Sequence, residues 1–149
     1  MEKSIGAFMI KSPYVGDSGM GLQEALELLL ECGVRHLPIV EDGKLIGLVS
    51  ERDLRACTAL PQADKLLVGD IMKRDVYVAK RSTPLKEIIN TMQERKLGST
   101  VVVNDSQEVL GIFTVIDALG ILSEFLEDES IEDCFIDDYY EPWSLEASI

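Results

Sequence analysis

Apolar and polar positions follow two matching series of helical and extended patterns along the chain. Apolar residues recur at helical spacing over residues 22–33, where Gly33 is well placed to end the helix. The same spacing returns over residues 85–96, directly after the helix-start signals of residues 82–84 (Ser-Thr-Pro). The pattern predicts one amphipathic helix in each half of the chain.

Short β-branched segments follow each predicted helix and predict a pair of strands. Residues 37–40 and 45–49 flank a polar turn containing Asp42-Gly43, and Asp-Gly between two apolar runs is a hairpin signal. Residues 100–103 and 109–113 repeat this arrangement in the second half. Each half also predicts a leading strand, near Tyr14-Val15 and Tyr77-Val78, and a closing helix, starting at Glu51 and Val115 behind the N-cap candidates Ser50 and Thr114.

The two halves are copies of one unit at a fixed offset. A shift of 63 residues places Met9 on Met72 and Tyr14 on Tyr77; after one inserted residue in the hairpin turn, a shift of 64 places Asp53 on Asp117. The repeat predicts one copy over 5–56, a second over 68–122, and a tail over 123–149. A unit of about 55 residues has too small a hydrophobic core to be stable alone, so the two copies are expected to pack face to face.

Charge separates the tail from the body. The net charge is −13, but from Glu124 onward the chain has ten acids and no Lys or Arg, which leaves 17 acids and 14 bases in the first 123 residues. Neither part offers the basic stripe that nucleic-acid binding requires, so a nucleic-acid partner is not expected. The acids of the tail alternate with aromatic and aliphatic residues. The tail is therefore expected to dock on the body, on a second copy or on a separate effector protein.

Cysteine, histidine and hydropathy patterns argue against disulfide-rich, zinc-binding, membrane-spanning and secreted classes of protein. Three cysteines without a Cys-x-x-Cys pair, together with a single histidine, argue against a disulfide framework and a zinc site. No apolar run reaches the roughly 18–20 residues of a membrane span, and the N-terminal stretch does not read as a secretory signal. A cytoplasmic location without membrane association is the expectation.

The most specific chemical pattern is Gly-h-h-[Ser/Thr]-x-x-Asp, where h is apolar, which occurs once in each copy. Gly47 and Gly111 permit close backbone approach within a strand. A hydroxyl at the following helix start lies near free N–H groups that favour anions, and the aspartate three residues later shares its side of the helix. That carboxylate is suited to accept from both hydroxyls of a ribose. The alternative interpretation is an ordinary N-cap followed by a first-turn acid.

These segments resemble a known family. Residues 35–54, RHLPIVEDGKLIGLVSERDL, are similar to the central motif of a CBS domain, and residues 99–118, STVVVNDSQEVLGIFTVIDA, resemble a more divergent member. The resemblance covers about four fifths of the chain and implies an α/β (α+β) fold of two β-α-β-β-α units related by a pseudo-two-fold axis. It also implies two clefts between the sheets that bind AMP, ADP, ATP or S-adenosylmethionine, and assembly as a homodimer.

The family geometry assigns candidate ligand-binding residues to each cleft, with contributions from both copies. For the first cleft these are Ser50, Arg52 and Asp53, joined by Met72, Lys73, Tyr77, Val78 and Ser99. For the second cleft they are Thr114 and Asp117, joined by Met9, Ile10, Tyr14, Val15, Arg35 and His36. Arg52 is expected to give the first cleft a phosphate contact that the second lacks. Solvated arginines and a packed histidine remain the alternatives.

The pattern favours a regulatory module that senses adenosine-containing ligands and signals to a partner protein. The alternative is a structural or dimerisation module that no longer binds ligand. Enzymatic activity is not expected, because the sequence shows no motif for a metal cluster, a nucleophile–base pair or a Walker-type loop. No cofactor is expected to be required.

Overall fold

The computed structural model of the protein describes residues 2–127, so the predictions for residues 128–149 lie outside the described residues. Its helices and strands follow in the order β1 Ile10–Lys11, α1 Leu22–Cys32, β2 His36–Glu41, β3 Lys44–Ser50, α2 Glu51–Thr58, α3 Val68–Ile71, β4 Val78–Ala79, α4 Leu85–Arg95, β5 Ser99–Val103, β6 Val109–Thr114 and α5 Val115–Glu127. The predicted mixed α/β class is confirmed. The chain divides into two compact units, Met1–Val115 and Ile116–Ile149, and both predicted β-hairpins lie in the first.

The two amphipathic helices begin where the pattern predicts, and both end in the same way. Gly33 follows α1 with a φ of 65°, and Lys96 follows α4 with a φ of 54°. In each case the next residue donates its N–H to a carbonyl five positions back: Val34 to Leu29 at 3.1 Å and Leu97 to Met92 at 2.9 Å. This left-handed cap is favourable for glycine and costly for lysine.

The hairpin prediction is also confirmed. Asp42 and Gly43, which join β2 to β3, have φ values of 51° and 77°. Two successive residues with positive φ form the turn whose twist matches that of paired strands. The turn between β5 and β6 is longer, and Gln107 adopts the positive φ there.

The strands form one four-stranded sheet, β1-β6-β5-β4, and one two-stranded sheet, β2-β3. The two-stranded sheet is extended on both sides by single bridges, from Lys73 to Leu48 and from Gly16 to Ile39. Lys73 and Gly16 are the repeat equivalents of Ile10 and Ala79, which lie in the edge strands β1 and β4. The sheets therefore share one plan.

The predicted leading strands need correction. The prediction centred one of them on Tyr14 and Val15, but neither residue is in a strand, and β4 starts one residue after Tyr77. The physical reason is that each leading segment, residues 10–16 and 73–79, crosses from the sheet of the other copy to the sheet of its own copy. These two stretches are called the crossing segments. Each one pairs with a strand only at its two ends, and the residues between the ends belong to no strand.

The core of the first copy also takes residues from the second. Val68 and Met72 are buried among the apolar residues of α1 and of the β2–β3 hairpin. The reciprocal contact is made by the N-terminal segment, where Ile5 donates its N–H to the carbonyl of Thr83 at 2.8 Å. Within residues 2–127, no helix has the length and apolar character needed to cross a membrane.

Candidate functional site

A cavity of about 180 Å³ lies in the first unit, and it is called the first cleft from here on. Its walls come from the β2–β3 hairpin, the first turn of α2, the crossing segment before β4 and the loop before β5. The lining residues are His36, Leu48, Ser50, Asp53, Lys73, Asp75, Val76, Tyr77, Lys96, Leu97, Gly98 and Ser99. Both copies therefore contribute to it.

The start of α2 supplies a hydroxyl and a carboxylate to the first cleft. Ser50 is the N-cap residue, and its Oγ accepts a hydrogen bond from the backbone N–H of Asp53 at 3.2 Å. The neighbouring acid Glu51 is instead paired with Arg55 on the same helix, at 2.9 Å between Oε1 and Nε. Asp53 is therefore the acid of this turn that faces the cavity.

The crossing segment is held close to the hairpin by two backbone hydrogen bonds. Lys73 donates its N–H to Leu48 and accepts from the N–H of Leu48, both at 2.9 Å. Gly47 makes this approach possible, because a Cβ there would lie against the side chain of Met72 and 3.2 Å from the carbonyl oxygen of Lys73. At the other end of the segment, the guanidinium of Arg95 lies 5.5 Å from the centre of the Tyr77 ring.

Two buried polar atoms of the cleft residues lack a hydrogen-bond partner among the described residues. These atoms are Nδ1 of His36 and Oγ of Ser99. His36 lies directly opposite Ser50 in the β2–β3 register, and its ring edge faces Gly98, where a Cβ would come within 2.8 Å of Nε2. An unpaired buried polar atom costs stability.

Five of the residues predicted for the first cleft meet there: Ser50, Asp53, Lys73, Tyr77 and Ser99. Three others do not line it, for reasons of local geometry. Arg52 is exposed one position before Asp53, and adjacent helix residues do not face the same side. Met72 is buried against the hairpin. Val78 is the first residue of β4, where it pairs with Val101 at the sheet edge.

His36 is also placed differently from the expectation. The sequence assigned it to the second cleft, but the structure places it in the first, because the hairpin register pairs it with Ser50. Arg35 is exposed, and its carbonyl accepts from the N–H of Glu51 at 2.8 Å.

The other residues predicted for the second cleft occupy positions related to the first by the repeat. Met9 is buried beside Gly111, as Met72 is beside Gly47. Ile10 pairs with Ile112 in the β1–β6 ladder. Thr114 ends β6, and Asp117 lies in the first turn of α5. Tyr14 and Val15 are exposed, at 58% and 41% of their surface.

Sequence reasoning missed several residues of the first cleft, of which Asp75, Lys96 and Gly98 are the most informative. Asp75 adds a second carboxylate to that of Asp53, and Lys96 adds a second positive charge to that of Lys73. A signal for Lys96 was present, since the position 63 residues earlier is Gly33, and a lysine had replaced a helix-ending glycine. Asp75 and Gly98 lie outside the repeated motif and carry no comparable signal.

The chemistry of the first cleft suits a molecule with several distinct parts. A carboxylate and a hydroxyl at a helix start can bind vicinal hydroxyls, and two ammonium groups can bind an anion. Leu48, Val76 and Leu97, together with the Tyr77 ring, offer apolar surface to a planar group. Within residues 2–127, no three His, Cys, Asp or Glu side chains converge into a group that could hold a metal ion.

Protonation of His36 is expected to destabilise the fold. Burial lowers the pKa of His36, the charge of Arg35 lowers it further, and the charge of Asp53 opposes them. Below the ordinary histidine value of about 6.5, the unfolded chain therefore binds the proton more readily than the folded protein. We expect the free energy of unfolding to be highest above about pH 7 and to fall toward pH 5.5.

Urea denaturation at constant ionic strength across this pH range measures the effect. The variant His36→Gln keeps a polar side chain and lacks the titration, so its stability should vary less between pH 7 and 5.5. Equal pH slopes for the two proteins would contradict the assignment.

Comparison with known proteins identifies the family. The CBS domain family model matches residues 5–58 and again residues 68–124. The fold resembles the CBS domain pair of protein MJ0100, crystallised with 5′-methylthioadenosine and S-adenosyl-L-methionine, with a TM-score of 0.77, 26% identity and coverage of 84% of this chain and 99% of that one. It also resembles CBSX2 in complex with AMP, a CBS-pair protein from Arabidopsis thaliana, with a TM-score of 0.73, 27% identity and coverage of 83% and 98%.

Among curated proteins, the chain is 32% identical over 105 residues to an L-aspartate semialdehyde sulfurtransferase of Methanocaldococcus jannaschii. The match covers 70% of this chain but 20% of that enzyme, and for the next two curated relatives the corresponding share is 39% and 24%. The chain thus spans well under half the length of these relatives. With two family matches over most of its length and the sheet plan of a CBS pair, the chain belongs to the CBS domain family and carries two CBS domains in tandem.

Proposed function

We propose that the protein is a regulatory module that binds an adenosine-containing ligand in the first cleft. The observation that carries the proposal is the convergence, in one cavity, of the Asp53 carboxylate, the lysines Lys73 and Lys96, and an apolar wall. CBS-domain pairs are in general regulatory modules, although several relatives of this chain are enzymes of much greater length.

Each part of such a ligand has a matching group. The ribose hydroxyls donate to the Asp53 carboxylate at the start of α2, where charge-assisted hydrogen bonds are strongest. A phosphate is met by the ammonium groups of the cleft, and the adenine ring lies against Val76, Leu97 and the Tyr77 ring. The solved complexes of similar CBS pairs with AMP, 5′-methylthioadenosine and S-adenosylmethionine support this class of ligand.

The proposed signal arises from where the walls of the first cleft originate. The Ser50–Asp53 turn belongs to the first copy, and the crossing segment and the loop before β5 belong to the second. A ligand that contacts all of them links the two copies, so its binding changes how firmly they are held together. A partner protein, or a second copy of this chain, would respond to that change.

Isothermal titration calorimetry with AMP, ADP, ATP and S-adenosylmethionine tests the proposal. At least one ligand is expected to bind at the first cleft and to raise the melting temperature in proportion to the logarithm of its concentration. No heat and an unchanged melting temperature with all four would contradict ligand sensing. That result, with a stable dimer in light scattering, would favour the dimerisation module instead.

A further inference from the structure

Lys96 occupies a backbone conformation that suits it poorly. It follows α4 with a φ of 54°, in the left-handed region where a side chain beyond glycine is disfavoured. The equivalent residue of the first copy is Gly33, with a φ of 65° and the same five-residue capping bond from the residue that follows it. A glycine thus fits this turn, and the second copy holds a lysine in it.

Lys96 lines the first cleft together with Lys73, whereas Gly33, the repeat equivalent of Lys96, has no side chain. Two arginines near this region are placed differently. Arg95 lies over the Tyr77 ring, and Arg52 is exposed on α2 without lining the cavity. Within residues 2–127, Lys96 makes no salt bridge, so its charge is available to a ligand.

We propose that Lys96 adds to Lys73 the charge by which the first cleft selects anionic adenosine ligands, such as nucleotides, over uncharged ones. The unfavourable backbone conformation is retained because it directs an ammonium group into the cavity. The inference rests on the proposed function and adds to it the chemical class of the ligand and a residue that contributes to that selectivity.

The variant Lys96→Gly separates stability from binding. It is expected to raise the melting temperature by about 2–4 °C, because glycine adopts the left-handed cap without penalty. It is also expected to weaken AMP binding by about tenfold and to leave adenosine binding within about twofold of wild type, because only AMP carries the charge. The AMP effect should shrink as salt is raised, since the lysine is exposed.

Two further variants complete the test. Lys96→Asn removes the charge while keeping a residue that tolerates positive φ, so it should weaken AMP binding without the full gain in stability. Gln107→Gly is the matched backbone control, because Gln107 has a φ of 64° and does not line the first cleft. It should be stabilised and should bind AMP like wild type.

The outcomes are distinguishable. Selective loss of AMP affinity in both Lys96 variants supports the inference. Unchanged AMP affinity in Lys96→Gly, or equal loss for AMP and adenosine, overturns it while leaving the proposed function intact. A wild-type protein that binds neither AMP nor adenosine overturns the inference, and one that also binds none of ADP, ATP and S-adenosylmethionine overturns the proposed function as well.

Discussion

Replacing Asp53 with asparagine is expected to weaken binding of adenosine-containing ligands by about 10- to 100-fold. Each charge-assisted hydrogen bond to a ribose hydroxyl contributes roughly 1.5–3 kcal/mol, and the amide retains only part of it. The backbone N–H of Asp53, which caps the helix through Ser50, is unaffected by the substitution. The fold should therefore persist, and calorimetry compares the affinities directly.

Glu51 provides the matched control for this experiment. It lies in the same first turn of α2, carries the same charge and is paired with Arg55 without lining the first cleft. Glu51→Gln should change ligand affinity by less than about twofold, because Glu51 does not line the cavity. The surface ion pair that it removes contributes under about 1 kcal/mol to stability, so the fold should also persist. An equal loss of ligand affinity in both variants would show that only the total negative charge at the start of α2 matters. The proposed contact between Asp53 and the ribose would then be contradicted.

Replacing Gly47 with alanine is expected to lower the free energy of unfolding by about 1–3 kcal/mol. The added Cβ would collide with the side chain of Met72, and it would also press on the Lys73 carbonyl at 3.2 Å. The strand and the crossing segment must separate, which weakens their two hydrogen bonds. Because that segment forms one wall of the first cleft, ligand affinity should fall as well.

The repeat supplies a control for this second experiment. An added Cβ at Gly111 would lie 2.5 Å from the sulfur of Met9 and 2.9 Å from the carbonyl oxygen of Ile10. Gly111→Ala should thus destabilise the protein to a similar degree, as measured by urea denaturation. It should spare binding at the first cleft, because Gly111 does not line that cavity. A Gly47→Ala protein as stable as wild type would refute the close-approach role.

Much of the fold could be predicted from periodicity and turn chemistry. The helical spacing of residues 22–33 and the Asp42-Gly43 turn each depend on local rules, and both elements formed where predicted. The crossing segments could not be located in this way. Their residues pair with two different sheets, and such long-range pairing leaves no local pattern around Tyr14 or Tyr77.

The site shows the same division between local and distant information. The predictions for Ser50 and Asp53 depend on one helix turn, those for Lys73 and Ser99 depend on the family geometry, and all four residues line the first cleft. Arg52 does not line it, and His36 lines the first cleft and not the second for which it was predicted, because strand register decides its position. Lys96 was missed because its alignment with Gly33, which the repeat does show, reveals neither its left-handed backbone nor its place in the cavity.

The exchange of edge segments between the copies has a consequence for what each copy could be on its own. A single copy would expose the sheet edge that Lys73 covers and the core surface that Val68 and Met72 cover. Because both copies belong to one chain, each segment meets its partner edge at a high effective concentration. Neither copy is therefore complete as an isolated domain.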